Sequence, residues 1–205
     1  MSTLPISILH SIAEHYHCDG RDFCERFDLL WEAQLHKTGR IKSFVDLLLG
    51  CECALKCHII LGHRNEDPKT VYLGLREQGH NIGRLANCAN YLDDRSQYEF
   101  LKDRLDPFSV FVRYSLDAYE TFFPSAMERE NALINYTRTI GSNPWVLEIR
   151  NCVESLLEST ANEFAGFVTD DLAALIDHEQ QMKEFADSCL RQRVKGRRSD
   201  RLKNC

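Results

Sequence analysis

The chain has 205 residues, 43% of them hydrophobic, a net charge of −6, and only five Pro and ten Gly. That is enough apolar material for a core without disulfide or metal staples, and too little Pro and Gly for an all-β fold of tight turns. No run of about 18 apolar residues excludes a transmembrane helix, and the opening "MSTLPISILHSIAEHYH" lacks the basic flank of a signal peptide, so a cytoplasmic protein with nine free cysteines is expected.

In chain order almost every segment reads as helix. "PISILHSIAEHYH" puts Ile8, Ile12 and His15 or Tyr16 on one face, and Asp19-Gly20 is expected to break it. "RDFCERFDLLWEAQLHKTG" follows with Phe23, Phe27, Leu30 and Trp31, and Gly39 stops it. "IKSFVDLLLGCECALKCHIILG" has one stripe of Phe44, Leu47, Leu48, Cys51, Leu55, His58 and Ile59, widened by Val45, Leu49, Cys53 and Ile60 to nearly the whole circumference. A helix apolar all round is central and buried. Its charged exceptions, Glu52 and Lys56, stand at i and i+4 in the favourable order.

Asp67-Pro68 starts a short helix that ends near Gly79. "HNIGRLANCANYL" carries helical spacing from Ile82 to Tyr91 or Leu92. Ser96 with Glu99 and Ser125 with Glu128 read as capping boxes. "SVFVRY" alternates like a strand for six residues, the one competitor to helix. A helix over "AMERENALINYTRTIG" ends at Gly141, another opens at Asn143-Pro144, and a last one runs from about Thr169 or Asp170 to Gln192. The expected architecture is an all-α bundle of about seven or eight helices. It divides into an N-terminal helix (1–21), a main bundle (22–165) and a C-terminal helix with a tail (166–205).

"CECALKCHIIL" invites a metal reading, because Cys51, Cys53, Cys57 and His58 lie within eight positions. On a helix only Cys53 and Cys57 share a face, while Cys51 and His58 diverge from them, and zinc wants three or four ligands. The spacing is one residue too long for haem attachment. Free cysteine packs as a small hydrophobe, so no metal and no cofactor are expected, with a thiol or metal protein as the remote alternative. Phosphate loops and nucleophile elbows are lacking.

Charge is uneven. Between Leu190 and Cys205, Arg191, Arg193, Lys195, Arg197, Arg198, Arg201 and Lys203 are opposed by Asp200 alone, so this stretch is +6 and residues 1–189 are −12. A basic tail on an acidic body hints at nucleic-acid contact; the plainer alternative is a solvated terminus.

Three stretches together resemble the HEPN domain family. "ECALKCHII", with Glu52, Leu55 and Lys56, is similar to the second helix of that family. "GHNIGRLANCANYL", with His80, Asn81, Ile82 and Leu85, resembles the element that opens its third helix. "FVRYSLDAYETFF" supplies the Arg113-Tyr114 pair. The resemblance implies a small helical bundle, commonly a homodimer, from a family frequent in toxin–antitoxin, phage-defence and RNA-processing systems. It also implies a groove lined by Lys56, His80, Arg113 and Tyr114 for RNA, a nucleotide or a protein partner. Its catalytic members are metal-independent endoribonucleases with an Arg-x(4–6)-His motif, in which arginine holds a phosphate and histidine moves a proton. That motif is absent here. Arg76 precedes His80 with three residues between, and Gly79 interrupts any shared helix. A non-catalytic binding module is therefore expected, with a ribonuclease using Arg76 and His80 as the alternative. The plainer roles are a helix-start or interhelical hydrogen bond for His80 and an ion pair for Lys56 and Glu52.

Overall fold

A computed structural model describes residues 7–33, 36–113, 115–122, 134–166 and 169–203, with the side chains at 113, 115–116, 119–120 and 190–203 not among those described. The described residues form an all-α bundle of eight helices: α1 (Ile8–Ala33), α2 (Lys37–Gly62), α3 (Pro68–Gln78), α4 (Ile82–Cys88), α5 (Ser96–Leu105), α6 (Ser115–Phe122), α7 (Asn143–Phe164) and α8 (Leu172–Lys203). No described helix is long and apolar enough to cross a membrane.

α2 is the centre. Phe44, Leu47, Cys51, Ala54, Leu55, Cys57 and Ile60 are fully buried on several of its faces, as its all-round apolar pattern predicts. α1 packs along most of its length, and α4, α7 and the turn Val110–Arg113 cover the rest.

The expected break at Asp19-Gly20 does not occur, and α1 runs straight through it. Gly20 is used for close approach instead. A Cβ built on it would lie 3.0 Å from Leu157 Cδ2 and 3.5 Å from the Gly50 carbonyl of α2, so two glycines let the helix backbones cross tightly. Gly39 likewise does not stop a helix. α1 ends at Ala33, α2 begins at Lys37, and Ser43 Oγ donates to the Gly39 carbonyl inside the first turns of α2.

Asp67 caps α3 as expected, its Oδ2 accepting from Thr70 N at 2.8 Å and Thr70 Oγ1 at 2.7 Å, and Gly79 ends that helix with φ +63°. α4 stops at Cys88, short of Tyr91. The guanidinium of Arg95 ends it by donating to the carbonyls of Ala86 (3.0 Å) and Ala89 (2.6 Å). The capping box expected at Ser96 and Glu99 is replaced by Asp94, whose carboxylate accepts from Ser96 N and Ser96 Oγ, both at 2.9 Å. The Ser125–Glu128 box lies outside the described residues.

"SVFVRY" is not a strand. Val110–Arg113 is a 3₁₀ turn that still buries Val110 and Val112 and exposes Phe111, so it shows the burial alternation of a strand without the strand. Of the helix expected over 126–141, residues 126–133 lie outside the described residues, and Tyr136–Arg138 is a second such turn, capped by Asn135. α7 opens with Pro144 in its first turn as expected. α8 starts later than expected, at Leu172, with Asp171 Oδ1 accepting from Ala173 N at 2.9 Å. Its helical backbone continues past Gln192 to Lys203.

Candidate functional site

Glu52 lies in the middle of α2, with its side chain only 5% exposed. A carboxylate in such a place requires partners, because burial strips its hydration. One is local: Lys56, one turn on, sets its Nζ 2.5 Å from Oε1. The other comes from the chain's return after α3. The positive φ of Gly79 turns the backbone, Asn81 caps α4 by accepting from Arg84 N at 2.7 Å, and His80 between them points back to α2. His80 Nδ1 lies 2.8 Å from Glu52 Oε2 and 3.0 Å from Oε1.

The carboxylate can only accept, so Nδ1 carries the hydrogen and Nε2 is left uncommitted on a ring that is 57% exposed. Lys56 and His80, expected in one groove, are thus brought together, and Glu52 is the group that joins them. The ion pair and the interhelical hydrogen bond considered for them are both present.

The cluster abuts an aromatic pocket. Lys56 Nζ lies 5.4 Å from the centre of the Tyr16 ring, and the Arg76 guanidinium lies 5.7 Å from that of Tyr72, which meets Phe185 edge to face at 5.5 Å. Burial, then the neighbouring Tyr72, Cys53 and Glu52, push the Tyr16 phenol well up, while Arg76 opposes them. Tyr16 therefore joins the ion cluster to a pocket of about 280 Å³ between α1, α3 and α8, lined by Ile12, His15, Tyr16, Asp19, Tyr72, Met182, Phe185 and Ala186. Sequence reasoning missed these walls. Tyr16, Tyr72 and Phe185 are far apart in the chain, and no spacing rule relates them.

Arg76 and His80 do not share a helix. α3 ends between them, Arg76 stacks on Tyr72, and His80 turns to Glu52. The Arg113 side chain and Tyr114 lie outside the described residues, as do the side chains of Arg191, Arg193, Lys195, Arg197, Arg198, Arg201 and Lys203.

Among the described residues no three or more His, Cys, Asp or Glu side chains converge as a metal-binding group. The eight described cysteines are free thiols. Burial pushes Cys53 and Cys57 up to about 12 and Cys24 and Cys152 up to about 11, so these thiols pack as apolar groups rather than react.

His58, also on α2, is an interior group. Leu92 N–H donates to the Tyr98 hydroxyl at 3.1 Å, that hydroxyl donates to His58 Nδ1 at 2.7 Å, and Nε2–H donates to the Leu156 carbonyl at 3.0 Å. Every hydrogen has one direction when the ring is neutral, and burial accordingly lowers its pKa to about 4. Compared with family models, curated proteins and solved structures, the chain matches none of them.

Proposed function

We propose that this chain is an HEPN-like helical module that binds a nucleotide unit, either free or within single-stranded RNA, without cleaving it. The observation that carries this reading is the joining of a Lys56–Glu52–His80 cluster to a pocket walled by Tyr16, Tyr72 and Phe185. A base has an apolar face and a polar edge, and its phosphate is anionic. Aromatic walls accept the face, and Asp19 at the rim accepts hydrogen bonds from an amino edge. The Arg76 guanidinium offers donors to the phosphate, Lys56 uses only one of its three N–H groups on Glu52, and His80 Nε2, which bears no hydrogen while Nδ1 does, offers an acceptor to a ribose hydroxyl.

Fluorescence anisotropy with a labelled ten-nucleotide RNA, competed by mononucleotides, tests this and separates the free nucleotide from the strand. Base–aromatic stacking contributes about 1–3 kcal/mol, so Tyr72→Ala should weaken binding about tenfold or more. His80→Ala should weaken it less, and Leu147→Ala, exposed on α7, should leave it unchanged. Equal affinity in all four proteins would remove the pocket from the account.

A second reading has its own observation. A carboxylate that fixes the Nδ1–H tautomer and leaves Nε2 outward is how histidines are held for proton transfer. Under it, His80 with Arg76 would cleave RNA in the presence of chelator, and His80→Ala would abolish cleavage. The expected outcome is no cleavage by the parent protein, because the arginine and histidine are separated by the end of α3.

A further inference from the structure

The α1 wall of the aromatic pocket carries its polar groups at helical spacing. Ile12, Tyr16 and Asp19 follow one another along one face, and His15 stands one turn before Asp19. Side chains four apart on a helix are neighbours, with Cβ atoms about 5–6 Å apart. His15 and Asp19 are both exposed at the mouth of the pocket, and neither side chain makes a hydrogen bond or ion pair among the described residues. Glu52, the other carboxylate nearby, is taken up by Lys56 and His80. At about 280 Å³ the pocket lies at the small end of ligand sites, which begin at about 300 Å³, so it suits one base rather than a stacked pair.

The two side chains differ in what they offer. A carboxylate only accepts hydrogen bonds, and a neutral histidine ring brings one N–H. Together they present a donor followed by two acceptor oxygens. Guanine carries the matching order on its Watson–Crick edge: the O6 acceptor, then the N1–H and N2–H donors. No other RNA base does. Adenine sets the bare N1 and cytosine the bare N3 beside the amino group, so one carboxylate oxygen meets a lone pair. Uracil has a single N3–H between two carbonyls, so the second carboxylate oxygen meets a carbonyl oxygen. Each mismatch exchanges a hydrogen bond to a charged group for repulsion.

We propose that Asp19 and His15 select guanine, as a free nucleotide or as one base of single-stranded RNA. The assignment rests on the pocket being a nucleotide site, and adds the identity of the base. Asp19 is the specificity-determining residue: its two oxygens accept from N1–H and N2–H, while His15 donates to O6 and the aromatic walls take the face of the ring.

Calorimetric titration of the full chain with GMP, IMP, AMP, CMP and UMP tests this. GMP should bind about tenfold or more tightly than AMP, CMP or UMP, and IMP, which lacks the N2 amino group, should fall between. Asp19→Asn should lose the preference for GMP. It should also bind XMP, whose O2 accepts from the new amide, more tightly than the parent does, a gain that unfolding cannot produce. A ten-nucleotide RNA with one central guanine, compared with its adenine counterpart, separates the sources. Discrimination between the two assigns the strand; none, with the GMP preference kept, assigns the free nucleotide. Equal affinity for all the mononucleotides, in a parent whose binding Tyr72→Ala weakens, would overturn the guanine assignment and leave the pocket as a nucleotide site. A preference for another base, or a GMP preference that survives Asp19→Asn, overturns it as well. No binding of any mononucleotide at millimolar concentration would overturn both.

Discussion

His58 shows how one residue decides a region. It is fully buried, and its two nitrogens bind Tyr98 on α5 and Leu156 on α7, so three helices meet on a neutral imidazole. Burial lowers its pKa to about 4, from about 6.5 for an unperturbed histidine. Between those values the unfolded chain takes up a proton that the folded chain refuses. Stability is thus complete above pH 6.5 and falls as pH drops toward 4, by about 3 kcal/mol over the window. Urea unfolding at pH 7 and pH 4.5 should show that loss, and His58→Gln, which keeps one donor and one acceptor, should show a smaller one. His17, whose pKa burial also lowers, keeps part of the slope in the variant. Identical slopes in the two proteins would mean that His58 is not the buried neutral group described.

At the scale of elements, the α1–α2 crossing organises the bundle. A Cβ on Gly50 would stand 3.0 Å from Cys24 Sγ and 3.3 Å from the Gly20 carbonyl. Gly50→Val must push the two helices apart, at a cost of about 1–3 kcal/mol for overpacking. Leu55→Ala, lower on α2, should cost about 2–5 kcal/mol through the cavity it opens. Chemical denaturation of both variants checks these values, and parent-like stability in both would remove α2 from the centre.

The same crossing marks what was legible in the sequence. The central helix was readable because its apolar residues surround the axis, and the start of α3 because Asp67-Pro68 is a local signal. Gly20 was misread because glycine has two uses, breaking a helix or letting another backbone close in, and only the partner helix decides between them. The strand-like "SVFVRY" was ambiguous for a related reason: a 3₁₀ turn also buries Val110 and Val112 and exposes Phe111. In the candidate site, Lys56 and His80 were singled out because each stands in a stretch that resembles a known family, and both meet Glu52. The pocket walls were not, because the packing of α1, α3 and α8 brings Tyr16, Tyr72 and Phe185 together and nothing local announces it.

At the scale of the molecule, one buried carboxylate and one aromatic pocket meet on the side formed by α1, α3 and α8. α8 supplies Met182 and Phe185 to the pocket. The proposed nucleotide unit lies between the aromatic walls and the Lys56–Glu52–His80 cluster. Two-dimensional NMR of the labelled full-length protein, titrated with a mononucleotide and then with a short RNA, tests it most directly. Resonances of Tyr16, Tyr72, Phe185 and His80 should shift first and saturate together, while those of Leu147 and the Tyr136–Arg138 turn stay in place. Shifts confined to residues elsewhere, or none at millimolar ligand, would contradict it.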